Sequence, residues 1–346
     1  MAVLLLFSAL IVVGLISGSH LPPQNIAASV DKSDSGLHLA ISERMSHGES
    51  YYQAVSHEQP ARGYPTRPFV AVREPTVAYA TKLVGGAGHL ALALAVFATA
   101  VILLTLVKLE ASAPNRIAWW ASGLILAFAA APLLGPLFAR NIFVLHEFWS
   151  GLLIVVALLF FNKSRWWIAI AAGLLAVLVR ELALPVLVVM AFVEFRAGNR
   201  RKALSWSAAV VLFGAFWALH AHEVLTHTVA STAAGGQWLA FGGWPFLVDC
   251  VRFSSSMADL PVWIAAVVAP LALLGWLSRD DVFCNRVSLI LIAYVAAYSV
   301  VGRPDNVYWG GEFILILLPG LAFAPNAILE LAKGARRARS NRHETA

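Results

Sequence analysis

Apolar runs of about 20 residues recur along almost the whole of this 346-residue chain, and that is the length a helix needs to cross a hydrocarbon core of ~30 Å. A bilayer interior offers no water to an unpaired backbone N–H or C=O, so such runs permit helices and exclude open sheets. Hydrophobic residues fill 60% of positions and charged ones only 13%, against roughly 25% charged in soluble domains. The runs are therefore read as spans of one polytopic domain over residues 1–332, all-α, with a basic tail at 333–346. The net charge of +6 does not point to nucleic acid. Five of its cations, Lys333, Arg336, Arg337, Arg339 and Arg342, follow the last span, where a positive-inside signal touching anionic lipid is the simpler reading. Cys250 and Cys284 are the only cysteines and fall on opposite sides of the expected topology, so neither a disulfide nor a CxxC metal site is expected.

Residues 2–18 form an apolar run with no Lys or Arg ahead of it. The SGSHLPPQ that follows is a poor cleavage site, so a retained first helix is expected. The chain is then polar to about residue 85, and further spans are expected near 87–107, 117–138, 142–161, 203–221, 260–278, 287–302 and 313–331. The stretch 166–195 decides the topology. As one long helix it would put Arg196, Arg200, Arg201 and Lys202, and by parity the tail, outside. As two short helices meeting at Arg180-Glu181 it brings Lys108, Arg116, Lys163, Arg165, the 196–202 cluster, Arg279, Arg286 and the tail to the cytoplasmic face. Ten spans with both termini cytoplasmic follow. Each half, Trp166 to Val179 and Leu182 to Phe195, is about 21 Å long, so the turn should sit below the outer membrane surface. The outer loop 222–259, with GGQWLAFGGW, is apolar enough for partial immersion.

Within the first outer loop, 19–85, Leu37, Ile41, Met45, Gly48, Tyr52 and Val55 recur at spacings of three and four, which predicts one amphipathic helix over 37–58, capped by Asp34. At about 100° per residue these positions share a narrow stripe, expected to lie on the outer membrane surface. On that wheel Glu43 points to water, whereas Glu49 falls at the edge of the stripe. A carboxylate there, partly desolvated, should have a raised pKa suited to accepting a proton from a sugar hydroxyl. After the helix, three prolines in GYPTRPFVAVREPT hold the chain extended, with Arg67 and Arg73 as candidate anion contacts. Arg180 and Glu181, ionisable at membrane depth, should face a protein or water-filled interior, and the guanidinium fork of Arg180 suits a phosphate oxygen. His146 and Glu147, about one turn into a span, are read as substrate contacts or packing residues, since no metal-ligand spacing accompanies them. His220, His222 and His227 are read as an interfacial polar cap. Arg303, Asp305, Tyr308, Trp309 and Glu312 crowd the last outer loop.

A first span, an outer loop with acids on a surface-lying helix, and a bundle with charges dipping in from the outer side together resemble the GT-C superfamily of integral membrane glycosyltransferases. ERMSHGESYYQAV followed by GYPTRPFVAVREPT looks like a pattern of bacterial members, as do WSGLL at 149–153 and RELALP at 180–185. By motif the resemblance covers about the first 200 residues. It implies inverting transfer of a sugar from a polyprenyl-phosphate carrier to a lipid- or envelope-linked acceptor on the periplasmic side of a bacterial inner membrane. A carboxylate, Asp34 or Glu49, would be the base. Arg180, Arg73 or Arg67 would hold the donor phosphate, and Tyr51, Tyr52, His146, Glu147 and Glu181 would contact substrate. No acid directly follows the first span, where many members carry one, so the choice between Asp34 and Glu49 stays open. No nucleotide-binding motif is present, no cofactor is expected, and a divalent metal is left open although the loop lacks a DxD-like pair. A transporter or flippase of a lipid-linked or small polar substrate is the alternative function. A non-catalytic membrane assembly partner is the third.

Overall fold

The computed structural model describes residues 2–17, 33–134, 141–162, 164–231 and 240–344. The SGSHLPPQ stretch beyond Ser17, Lys163, the first half of GGQWLAFGGW in the second outer loop, and the side chains of Arg339 and Arg342 lie outside the described residues. Among those described there is no strand. The helices are α1 (Ala2–Ser17), α2 (Asp34–Ser46), α3 (Tyr51–Ala61), α4 (Thr76–Leu83), α5 (Ala87–Ser112), α6 (Arg116–Leu134), α7 (His146–Leu159), α8 (Trp166–Val179), α9 (Leu184–Arg196), α10 (Arg200–His227), α11 (Gly243–Phe253), α12 (Val262–Leu277), α13 (Val282–Val301), α14 (Ile314–Leu317) and α15 (Ala324–Glu344). Among the described residues, five helices are long and apolar enough to cross a membrane: α5, α6, α10, α13 and a continuous helical run over Ile314–Arg337. The apolar helices α1, α7, α8 and α12 are shorter. This is the composition of a helical membrane protein.

The chain forms two compact units. One comprises Pro23–Val101 and Pro132–Ala240; the other comprises Met1–Pro22, Ile102–Ala131 and Phe241–Ala346. In the latter, α12 meets the 3-10 segment Leu318–Phe323 backbone to backbone. A Cβ on Gly275 would stand 1.8 Å from the Gly320 carbonyl oxygen, and one on Gly320 would stand 2.3 Å from that of Ala272. Only glycine admits so close an approach, as at small-residue crossings of membrane helices. Trp276 closes the crossing by donating its indole N–H to the Leu317 carbonyl at 3.0 Å and setting its ring edge-on to Phe323.

In the first unit α8 packs along α7, and α9 along α10. The expected break at Arg180 is present. α8 ends at Val179, a 3-10 turn covers Glu181–Ala183, and α9 begins with Leu184 and Pro185. The chain doubles back there. The start of α8 lies at the start of α10, with the Arg201 guanidinium over the Trp166 ring, and the end of α9 returns to the same place, with Asn199 donating to Glu194 at 2.7 Å. The turn itself comes within electrostatic reach of His220, near the far end of α10.

The helix expected over 37–58 is two helices. Gly48 takes a φ of +101°, which a side-chain-bearing residue rarely adopts, and Ser50 restarts the helix through a capping box with Gln53. That S-x-x-Q signature is legible in the sequence. The break also changes the phase of the stripe. Leu37, Ile41 and Met45 of α2 are buried as expected, but in α3 the buried apolar residues are Tyr51, Ala54 and Val55, while Tyr52 is only partly covered. These side chains close on Val72, Ala78 and Val224. The stripe is therefore covered by protein instead of being left bare for lipid.

Candidate functional site

The extended segment between α3 and α4 is suspended by side chains. Four successive carbonyls, those of Ala71, Val72, Arg73 and Glu74, each accept a hydrogen bond: from Gln59 Nε2 at 3.1 Å, His220 Nε2 at 3.1 Å, the Tyr51 hydroxyl at 2.7 Å and His146 Nε2 at 3.0 Å. The donors come from α3, α10 and α7, so three helices fix a backbone that has no ladder of its own. A buried carbonyl left without a donor would cost about 1–3 kcal/mol, which is reason enough for polar residues at these core positions. Because Nε2 of His220 donates, its Nδ1 is the acceptor for the Tyr52 hydroxyl at 3.0 Å. By the same reasoning His146 leaves Nδ1 as an acceptor, and that buried atom meets no donor among the described residues. The hydroxyl of Thr76 continues the anchoring by donating to the Leu178 carbonyl at the end of α8. Tyr51, Tyr52 and His146, expected as substrate contacts, and His220, expected as a polar cap, thus hold the segment that carries Arg73 and Glu74.

Beneath the segment lies a buried charge cluster. Arg180 donates Nε to Glu147 at 2.7 Å and Nη1 to both oxygens of Glu181 at 2.6 Å, with side-chain exposures of 1%, 2% and 21% respectively. Guanidinium–carboxylate pairs of this kind are among the stronger protein contacts. Arg180 was expected to meet a phosphate; here its fork is engaged by two glutamates. Glu74 adds a third buried carboxyl beside Glu181. Burial, and then the charge of Glu181, push the Glu74 carboxyl well above the usual range, as two carboxyls at one site require. One Glu74 oxygen has no donor among the described residues. Arg73 also acts on Glu181 across the cluster, so two guanidiniums face the carboxyls of Glu147, Glu181 and Glu74.

The outer rim of this cluster is formed by α2. Ser33, not Asp34, caps the helix, accepting from the Gly36 N–H at 3.1 Å. Asp34 is instead the first helical residue, and its Oδ1 accepts from the Tyr64 hydroxyl at 2.6 Å. Burial and the Asp34 charge raise the Tyr64 pKa, so the phenol remains a donor. One turn on, the half-buried His38 sets its ring 5.0 Å from that of His146. Burial is the main force lowering the His38 pKa to about 4; Asp34 opposes it and Arg73 and Arg180 add to it. Asp34, His38, Arg73, Glu74, His146, Glu147, Arg180 and Glu181 therefore form one assembly.

Two expected residues stand outside it. Glu49 lies in the link between α2 and α3, where one oxygen accepts from Arg44 at 2.8 Å and the other meets His57 at 3.0 Å. His57 foremost, then Arg44, lower its pKa, the reverse of the rise expected from a desolvated helix edge. The physical reason is the break at Gly48, which removes Glu49 from the helix face on which that expectation rested. Arg67 is drawn to the end of α10, donating to Thr228 Oγ1 at 2.8 Å and to the Leu225 and Thr228 carbonyls at 3.2 Å. That is a helix C-terminal cap, not an anion contact. The sequence reading passed over His38, Glu74 and Tyr64. Glu74 was in plain view between Arg73 and Pro75, and His38 stands four residues after Asp34, one helical turn away. Among the described residues no group of three or more His, Cys, Asp or Glu could hold a metal ion. No family model, curated protein or solved structure matches this chain.

Proposed function

We propose that this chain is a membrane glycosyltransferase of the GT-C kind, moving a sugar from a polyprenyl-phosphate carrier to a lipid- or envelope-linked acceptor on the periplasmic side of a bacterial inner membrane, with inversion. The observation that carries the reading is the joining, in one assembly, of outer-loop Asp34 and Arg73 with the charged turn between α8 and α9. A carboxylate that can take a proton and a cation that can hold a phosphate stand beside the ion cluster of Arg180, Glu147 and Glu181. In this topology ten segments cross the bilayer, namely α1, α5, α6, α7, α8, α9, α10, α12, α13 and the run beginning at Ile314, with both termini cytoplasmic. It is supported by the basic residues Arg165, Arg196, Arg200, Arg201 and Lys202 at the open ends of the α8–α9 and α9–α10 hairpins.

Asp34 is the base. Tyr64 fixes one of its oxygens, and the other is available to the acceptor hydroxyl. As that proton moves to Asp34, the acceptor oxygen forms its bond to the anomeric carbon from the face opposite the carrier. The carbon–oxygen bond to the carrier breaks, and its electron pair stays on the phosphate, whose growing charge Arg73 stabilises. Glu49 does not serve, because both its oxygens are engaged and its pKa is depressed.

The test is label transfer from radiolabelled polyprenyl-phosphate sugars to extracted envelope acceptors by the purified protein in nanodiscs. Asp34→Asn should lower the rate by about 10²–10⁴-fold, while Glu49→Gln stays near wild type. Full transfer by Asp34→Asn would remove the base assignment. Absence of donor consumption under every condition, with labelled lipid or solute crossing a sealed vesicle, would replace the enzyme by a transporter.

A further inference from the structure

On the face of α2 turned away from its buried stripe lies an open groove of ≈ 590 Å³, closed on its far side by the end of α4 and the Gly85-Gly86 turn into α5. That volume is in the range of sites that take a small polar ligand. Its lining carries charge of both signs: Arg62 and Lys82 on one hand, Glu43 on the other, with the hydroxyls of Ser42 and Ser46. Lys82 is exposed and has no hydrogen-bond or ion-pair partner among the described residues. Glu43, 72% exposed, meets only His47 on its own helix among the described residues, at 3.6 Å. Arg62 is steadied by Glu58 at 3.0 Å.

The helices that close the groove, α4 and α5, also carry exposed apolar side chains. Tyr79 is 50% exposed, Leu83 is 88% exposed, and Leu92, in the first turns of α5, is 61% exposed. Lys82 of the groove is followed directly by the exposed Leu83, four residues before a 26-residue span-length helix begins. A free solute would gain nothing from Leu83, whereas a lipid would lay its chains along it.

We propose that this groove binds the headgroup of a zwitterionic, amine-bearing glycerophospholipid, with its phosphate on Lys82 and Arg62, its ammonium on Glu43, and its acyl chains along Leu83 and α5. The geometry favours a zwitterion over a purely anionic headgroup because an anion without an amine leaves Glu43 facing it. The site is separate from the Asp34 assembly, and its occupancy is independent of the transferase reading.

The experiment is native mass spectrometry of the full-length protein released from mixed nanodiscs of phosphatidylethanolamine and phosphatidylglycerol, with no donor sugar present. Wild type should retain phosphatidylethanolamine about tenfold over phosphatidylglycerol, the worth of one charge-assisted contact. Glu43→Gln should abolish the preference while keeping lipid bound, and Lys82→Glu should release both lipids. Both positions are exposed, and an unchanged melting temperature confirms that the variants fold. Equal retention of the two lipids by wild type, or retention unaltered by Lys82→Glu, overturns the site. Displacement of the lipid by an equal concentration of free phosphoethanolamine overturns its assignment to a lipid.

Discussion

The unit that holds the candidate site and the unit built on α12 are both made of short and long apolar helices, yet they close in different ways. Around α12 the helices come together through missing side chains: Gly275 and Gly320 let two backbones touch, and aromatic rings such as Trp276 and Phe323 fill what is left. In the other unit the closure is polar, with four carbonyls held by four side-chain donors above three glutamates and an arginine. Glycine contacts suit a scaffold, since they gain dispersion energy at no electrostatic risk. A buried ionic cluster is rarely the cheapest way to hold helices together and is commonly replaceable by apolar residues without loss. Its presence in one unit is therefore the reason to look there for chemistry.

The contrast can be broken by substitution, beginning where the effect is largest. Arg180→Leu leaves Glu147 and Glu181 as buried carboxylates without their cation, and a loss of about 3–5 kcal/mol is expected, seen as a steep fall in melting temperature in detergent. The double variant Arg180→Leu/Glu147→Leu should recover part of it. Without that recovery, the ion pair is not what the single change disturbs. Next comes Gly275→Ala in the other unit, where a methyl group must push the Gly320 carbonyl away. A loss of about 1–3 kcal/mol is expected, and an unchanged melting temperature would show that the crossing is looser than the 1.8 Å approach implies.

A third effect is one of pH. An unfolded chain protonates His38 near its ordinary 6.5, whereas the folded one resists until about 4. Its contribution is therefore complete above 6.5 and lost as pH falls toward 4. Glu74 acts in the opposite sense: its raised pKa favours the folded state at low pH, and that advantage is lost as pH rises from 4.5 through the folded value. In melting-temperature profiles His38→Gln should flatten the acid side relative to wild type, and Glu74→Gln should remove the decline toward neutrality. Profiles parallel to wild type for both variants would mean that neither group changes its protonation on folding.

Much of this architecture is written in the sequence, and the reasons for the exceptions are specific. The break at Arg180-Glu181 followed from charge bookkeeping on the flanking loops, because lipid punishes a misplaced cation. The break at Gly48 did not, because a 3.6-residue periodicity continues through it in register. Only the local chemistry of Gly48 and the Ser50–Gln53 pair announces it. Arg180 and Glu147 stand out in the sequence as ionisable groups within apolar spans, Asp34 as a helix cap and Arg73 as a candidate anion contact. Glu74 and His38 were missed because their importance depends on partners far along the chain, Glu181 and His146, which no local pattern reveals. Four anchoring side chains on four consecutive carbonyls are likewise invisible in sequence, since Gln59, Tyr51, His146 and His220 lie on three different helices.

The ion cluster also has an order of assembly built into its numbering. Arg180 and Glu181 are neighbours in the chain, while Glu147 is 33 residues away. Bringing neighbours together closes no loop, whereas the longer contact carries the entropy of closing one. The guanidinium can thus be neutralised by its adjacent carboxylate in a chain that has no tertiary structure yet, and α7 joins a dipeptide that is already charge-balanced.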